Sequence, residues 1–363
     1  MSEKFIADFK TNYGFNADFK AKSDIDFFLK QNQFNRVLIY HGNNKFEKII
    51  SFFINTIRNI VKSRNKPKIV IIQYPTVKSS LFKIYKKCIN KNNTIFICLI
   101  HDLECIRLGW NTSNYEYKIK NEIKALNLYD YVISHNSKMS KWLKDNGAKS
   151  SVLNLNLFDY KVNLKKNKGS NMESGKMNSI VYAGNLSSKK SYFLYKLNQL
   201  EFSTVKFCLY GTNFEKNKFL NSSNIEYMGF YDAAELPTVI QGSYGLVWDG
   251  DDVFECSGNT GNYMRYNNPH KLSLYIASGV PVIVWNQAAI AEFVEFNNIG
   301  IVISNLSEIE EKVRNINDEQ YKIMKNNIYE LSKKIVKGYY IKNVINEIIS
   351  DINLENGEKK DEV

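Results

Sequence analysis

Residues 163–178 read NLKKNKGSNMESGKMN, a run with almost no large apolar side chain and an excess of Lys, Asn, Gly and Ser. Such a segment cannot bury enough apolar surface to fold by itself, so it reads as a linker or long surface loop. On either side the same pattern recurs. Before it, the short apolar runs Arg36–Tyr40, Lys68–Gln73, Thr94–Ile100, Tyr131–Ser134 and Ser151–Leu155 alternate with amphipathic stretches at Lys45–Val61, Lys78–Lys87, Tyr115–Leu126 and Lys138–Asn146. After it come Ser179–Ala183, Thr204–Tyr210, Ile225–Met228, Tyr244–Trp248, Val280–Val284 and Gly300–Ile303. Helical stretches accompany these at Lys271–Ser278, Ala288–Phe296, Asp318–Lys337 and Ile341–Ile352. Strands that are apolar on both faces and alternate with helices belong in covered parallel sheets. The fold class is therefore α/β, with two Rossmann-like domains and a cleft between the carboxyl ends of their sheets, where ligands of such sheets bind.

The expected divisions are 1–162 for an N-terminal Rossmann-like domain, 163–178 for the linker and 179–337 for a C-terminal one. A helix follows at 338–355, then a charged, disordered tail at 356–363. A chain of 363 residues is too long for one core and suits two. With 44% hydrophobic and 24% charged residues, wholesale disorder is excluded. No apolar run approaches the ~18 residues of a membrane span. Met1-Ser2-Glu3-Lys4 opens no signal peptide, so a cytoplasmic protein is expected.

Charge divides unevenly. Residues 1–178 hold 31 Lys and Arg against 14 Asp and Glu, a net of +17, and the rest of the chain has 18 against 23, a net of −5. A basic first half suits a polyanion: nucleic acid, the inner face of a membrane bound peripherally, or a pyrophosphate-linked substrate. No helix-turn-helix, RNP motif or zinc finger accompanies the charge, so no nucleic-acid partner is expected. The five cysteines form no CxxC pair and the four histidines no HExxH, which leaves no metal site of standard spacing. Neither GxGxxG nor GxxxxGK[ST] is present, so dehydrogenase and ATPase readings lose their usual warrant.

The densest polar segment is WDGDDVFECSGNTGNYMRYNNPHKLS, Trp248 to Ser273. It begins as a strand ends and finishes as a helix begins, with Asn268 as the expected N-cap, Pro269 in the first turn, and His270 and Lys271 next. Free N–H groups at such an entry, with the Lys271 cation, suit the phosphates of a nucleotide; a plain capped helix with a surface lysine is the alternative. Gly184 and the lysines Lys189 and Lys190 form a second polar turn after a strand, and Gly229-Phe230-Tyr231-Asp232 a third that offers a shelf for a planar base. In the first half, Thr94–Ile100 runs into His101-Asp102-Leu103-Glu104. Asp102 or Glu104 could take a proton from an attacking hydroxyl, or Asp102 could instead cap the next segment or hold His101. Asp249 and Asp251 in DGDD fit a DxD metal pair or, better, a sugar or acceptor hydroxyl.

VYAGNLSSKKSYF, YGLVWDGDDVFECSGNTGNYMRYNNPHKLSLYIASGVPVIVW and AAIAEFVEFNNIGIVI resemble bacterial β-1,6-galactofuranosyltransferases of O-antigen and exopolysaccharide clusters. NYGFNADFKAKSD, FICLIHDLE and YVISHNSKMSKWLKDNG extend the likeness into the first half. More distantly the chain is similar to streptococcal glucosyltransferases that act on serine-rich adhesins. The resemblance implies a GT-B enzyme with an N-terminal acceptor domain and a C-terminal nucleotide-sugar domain, whose C-terminal helix returns to the N-terminal domain and whose donor substrate is a UDP-sugar; no cofactor is expected. It implies sugar-donor contacts from Lys20 in the first loop, Ser188 to Lys190, Phe230 to Ala233 (with Tyr231 and Asp232), and Asn268 to Ser273 (with Pro269, His270, Lys271 and Leu272). Retaining GT-B enzymes carry E-x7-E; the eighth residue after Glu255 is Tyr263, which favours inversion. Asp102 is then the first choice of base, ahead of Glu104 and Asp249, and no metal is expected. Galactofuranose onto a glycan acceptor, free or lipid-pyrophosphate-linked, is the expected transfer. The alternatives are glucose transfer to protein O-glycans, a non-catalytic partner subunit, and a basic RNA- or membrane-binding module. A homo-oligomer is left open.

Overall fold

The computed structural model describes residues 3–8, 17–39, 47, 50–56, 68–75, 78–89, 94–109, 112–162, 178–219 and 223–361. His41, Tyr40, most of the helical stretch Lys45–Val61, the motif residues 12–16 and nearly all of the linker 163–178 lie outside them. Two compact units emerge, one from residues 1–105, 111–156 and 338–363, the other from 106–110 and 157–337.

The first unit holds β1 (Glu3–Asp8), α1 (Ala17–Gln31), β2 (Asn35–Leu38), β3 (Lys68–Tyr74), α2 (Ser79–Ile89), β4 (Thr94–Ile100), α3 (Glu104–Gly109, shared with the second unit), α4 (Tyr115–Leu126), β5 (Tyr131–Ser134), α5 (Ser137–Asp145) and β6 (Ser151–Asn154). Its strands pair in parallel in the order β2-β1-β3-β4-β5-β6. β3 and β4 are buried nearly end to end, as central parallel strands covered by helices must be. Phe82 of α2 lies flat on Tyr129, centroids 4.4 Å apart, and edge-on to Phe96, closing one face of the sheet. β1 and α1 went unread in the sequence: β1 has only a short apolar centre, and α1 interleaves lysines and aspartates with Phe19, Ile25, Phe28 and Leu29.

The second unit holds β7 (Ser179–Asn185), β8 (Lys206–Thr212), β9 (Ile225–Gly229), α6 (Leu236–Val239), β10 (Tyr244–Val247), α7 (Gly258–Tyr263), α8 (His270–Ala277), β11 (Val282–Trp285), α9 (Ala291–Phe296), β12 (Gly300–Ile303), α10 (Ile309–Asn315) and α11 (Asp318–Ile335). The strand order is β12-β11-β10-β7-β8-β9, all parallel. This is the doubly wound order with its reversal between β7 and β10. Trp248 and Trp285 are fully buried and meet edge to face at 6.3 Å.

The chain returns to the first unit at Gly338, whose φ of +72° suits glycine and whose missing Cβ makes room for the Phe28 ring. From there α12 (Tyr339–Asp361) packs on α1, burying Ile341, Val344, Ile345 and Ile348. The helix runs through Gly357 to Asp361, where the sequence suggested a frayed tail.

Candidate active site

β7 and β10 share ladder pairs only at Tyr244–Ile180 and Gly245–Val181, then part. Tyr275 of α8 fills the gap. Its ring lies where a Cβ on Gly245 would stand, and its hydroxyl accepts from the Ala183 N–H at 3.0 Å while facing the Val181 and Leu246 carbonyls at 3.3 Å. The strand ends are thereby splayed at the reversal point, with the Tyr275 hydroxyl standing in for part of the missing ladder, and this is where doubly wound sheets take their ligands.

Lys271, in the first turn of α8, reaches this point. Its Nζ is 2.8 Å from Asp249 Oδ1 and 4.8 Å from the centroid of the Tyr182 ring. Tyr182 in turn places its hydroxyl 2.7 Å from Ser191 Oγ and donates to Asp249 Oδ1 at 3.3 Å. Burial, reinforced by the Asp249 charge, raises the Tyr182 pKa well above that of a free phenol, so the group is a neutral donor. Gly184, at the end of β7, leaves room for the Lys271 stem: a Cβ there would touch Cε at 3.4 Å. Its register partner Gly211 is the last residue but one of β8, and a Cβ on Gly211 would overlap the Gly184 carbonyl. Two glycines side by side let the backbones close up at the sheet edge. Gly211 was missed in the sequence, although the parallel endings Ala183-Gly184-Asn185 and Tyr210-Gly211-Thr212 signal it.

The three carboxylates of DGDD part company. Asp249 takes Lys271, Asp252 pairs with Lys196 at 2.6 Å, and exposed Asp251 sits where a side chain on Gly258 would be. Among the described residues no group of three His, Cys, Asp or Glu side chains gathers as a metal site would need.

The remaining sequence-predicted residues of this unit spread around the same edge. Ser188 donates its N–H to Glu215 Oε1 at 2.7 Å and its Oγ accepts from Lys218 at 2.8 Å. The Lys218 ammonium and the Ser188 N–H hold the Glu215 carboxyl down to about 2. Lys189 and Lys190 are exposed. Phe230 and Tyr231 are exposed too, with Tyr231 beside Tyr210 at 6.1 Å. Asp232 Oδ1 accepts the Ala234 N–H at 2.8 Å, shaping that turn. Tyr160 ties the turn to α8: its hydroxyl donates to the Ala233 carbonyl at 2.7 Å and its ring lies 5.1 Å from that of His270. The cap differs from expectation. Pro269, extended at φ −61° and ψ 135°, is the N-cap, the helix begins at His270, and no side chain caps it; Asn268 stands one residue earlier and is buried. Leu272 and Ser273 turn inward, Leu272 into the core and Ser273 onto the Phe158 carbonyl at 2.7 Å.

In the first unit, His101 and Asp102 follow β4 at its carboxyl end. His101 is buried with Nε2 2.6 Å from Gln73 Oε1, and Asp102 is half-buried. Glu104 opens α3 with an exposed side chain. The Glu104 and Cys105 N–H groups are satisfied by the Glu122 carboxylate at 3.0 and 2.7 Å, which also accepts from Tyr74 at 2.9 Å. Glu122 was not foreseen: on an amphipathic helix it reads as a surface charge. Lys20 lies in α1 and not in a loop; it is buried, and its ammonium pairs with Asp24.

The glucosyltransferase 3-like N-terminal domain family matches residues 3–157 and the glucosyltransferase 3-like C-terminal domain family residues 180–348. The chain is 35% identical over 263 residues to the beta-1,6-galactofuranosyltransferase WbbI of Escherichia coli K12, covering 70% of this chain and 71% of that protein. It is 24% identical over 298 residues to glucosyltransferase 3 of Streptococcus parasanguinis, covering 80% and 81%. Among solved structures, a sucrose-phosphate synthase of Thermosynechococcus elongatus superposes with a TM-score of 0.64 at 12% identity, over 97% of this chain and 100% of that one. Anabaena Alr3699/HepE in complex with UDP-glucose gives 0.59 at 12%, over 96% and 99%. At such identities the structural likeness establishes the fold alone, which is GT-B.

Proposed function

This chain belongs to the glucosyltransferase 3-like family of glycosyltransferases, and from that premise we propose that it moves galactofuranose from UDP-galactofuranose to a glycan acceptor with inversion. The ion pair of Lys271 and Asp249 at the strand-order reversal of the second unit carries the reading. It supports a diphosphate site, because a cation, the first N–H groups of α8 and the close backbones of Gly184 and Gly211 converge at one sheet edge. Exposed Phe230 and Tyr231 supply the shelf for the base.

In this reaction the acceptor oxygen attacks the anomeric carbon as the bond from that carbon to the β-phosphate oxygen breaks. The proton of the attacking hydroxyl passes to Asp102, and UDP departs with the bonding electrons. Negative charge grows on the leaving phosphate, where Lys271 and the N-terminus of α8 stabilise it. With Lys271 and the N-terminus of α8 facing the diphosphate, the proposed reaction runs without a metal. Asp249 and His101 serve sugar or acceptor hydroxyls. The net charge of +17 over residues 1–178 supports an anionic acceptor, such as a lipid pyrophosphate at the inner membrane face, in surface polysaccharide synthesis.

A second reading, glucose transfer from UDP-glucose, is favoured by the glucosyltransferase 3-like matches on both halves. Thermal shift with UDP, UDP-galactofuranose and UDP-glucose separates the two, since a ligand of the native state stabilises by mass action. Stabilisation by UDP-glucose but not by UDP-galactofuranose would exchange the readings, and the anomeric configuration of the product, read by NMR, decides inversion.

A further inference from the structure

Beneath His101 in the first unit runs a line of polar groups that the proposed chemistry does not use. Gln73 of β3 is buried, with its amide nitrogen 2.6 Å from Asp26 Oδ1 and 3.2 Å from the Lys22 carbonyl oxygen, both on α1. Its amide oxygen is 2.6 Å from His101 Nε2. The other Asp26 oxygen pairs with Arg36 Nε at 3.6 Å.

The orientation of the Gln73 amide follows from its neighbours. A carboxylate and a backbone carbonyl can only accept, so the end that meets both must be the NH₂ group. Reversing the amide would press its oxygen against two other oxygens and leave that oxygen, on a buried side chain, without a donor. Oε1 is therefore committed to His101, and an amide oxygen only accepts. The imidazole nitrogen facing it must carry a proton. In the neutral ring Nδ1 is then an acceptor, and whatever meets it must donate.

We propose that Asp26 and Gln73 are positioning residues that fix His101 as its Nε2–H tautomer, so that its Nδ1 edge accepts a hydrogen bond from a hydroxyl group. The role in turnover rests on the reading of the His101–Asp102 turn as the acceptor end of the reaction; the tautomer does not.

The test is long-range ¹H–¹⁵N correlation on the full chain labelled at histidine, with the His101 signals assigned by their loss in His101→Asn. The expected wild-type spectrum shows Nε2 of His101 at a protonated shift and Nδ1 at a lone-pair shift when the ring is neutral. Gln73→Leu should move both nitrogens toward the average of two exchanging tautomers. It should also lower kcat about tenfold, the weight of one hydrogen bond, with UDP affinity unchanged. A wild-type His101 protonated on Nδ1, or shifts unmoved in Gln73→Leu, would overturn the inference; if that variant does not fold, the wild-type spectrum decides alone. The expected spectra with an unchanged kcat would instead overturn the placement of His101 in the reaction.

Discussion

Lys271 and Asp249 are joined Nζ to Oδ1 at 2.8 Å, with only 14% and 16% of their side-chain surfaces exposed, beside the gap that Tyr275 opens between β7 and β10. The lysine is thus held in place by a carboxylate, by the Tyr182 ring and by the space at Gly184. A pair so shielded feels its neighbours more strongly than a surface pair would. An arriving diphosphate gains the lysine and meets the like charge of Asp249.

Lys271→Ala should therefore leave a folded protein whose affinity for UDP is about ten- to a hundredfold lower. Losing a charge-assisted bond to phosphate costs roughly 1.5–3 kcal/mol. Calorimetric titration with UDP measures it, and wild-type affinity in the folded variant would remove Lys271 from the site.

Asp249→Asn separates two roles of the carboxylate. If it is chiefly the counter-ion of Lys271, removing its charge should tighten UDP binding about three- to tenfold. That is on the order of 1 kcal/mol, as expected for like charges several ångströms apart in a partly shielded site. Weaker UDP binding would show that Asp249 instead orients the lysine.

Turnover should survive EDTA, because Lys271 and the start of α8 meet the diphosphate charge. Loss of UDP release on chelation, restored by manganese, would make Asp249 and Asp251 ligands and replace the mechanism.

Asp102→Asn should retain UDP-sugar binding and lose about 10²–10⁴ in rate, the usual weight of a general base. Glu104→Gln should change little, since the side chain is exposed and the α3 entry is held by Glu122. Equal losses in the two variants would leave the base unassigned between them.

His135 gives a stability signature. Burial lowers its pKa from 6.5 to about 4, so between those values the unfolded chain binds a proton that the folded chain does not. Stability from this group is present above about 6.5, declines by about 1.4 kcal/mol per pH unit below it, and levels off near 4. Denaturant titrations from pH 4 to 7 should show that slope in the wild type and a shallower one in His135→Gln; identical slopes would mean that His135 titrates normally when folded.

The strands were legible because parallel strands covered on both faces leave unbroken apolar runs such as Ile69–Ile72 and Ile95–Ile100. The polar segments at Asp249, Gly184 and Phe230 were legible because each follows such a run. Their mutual contacts were not. Asp249 and Lys271 are separated by 22 residues, and DGDD reads as one acidic cluster until the fold sends Asp252 to Lys196 and Asp249 to Lys271.

Periodicity and composition by themselves determined that this is a two-unit α/β chain, because hydrophobic patterning is local and needs no knowledge of distant residues. Its motifs likewise carried the family. Strand order, and with it the reversal between β7 and β10, was decided only in the tertiary structure, since pairing brings together residues such as Ile180 and Tyr244 that no local pattern links. The same holds for the polar partners Glu122, Gln73 and Asp26, the first two of them buried. A side chain's hydrogen-bond partner is set by what folding stacks against it, and in the sequence each of these is one more polar residue on a helix or strand.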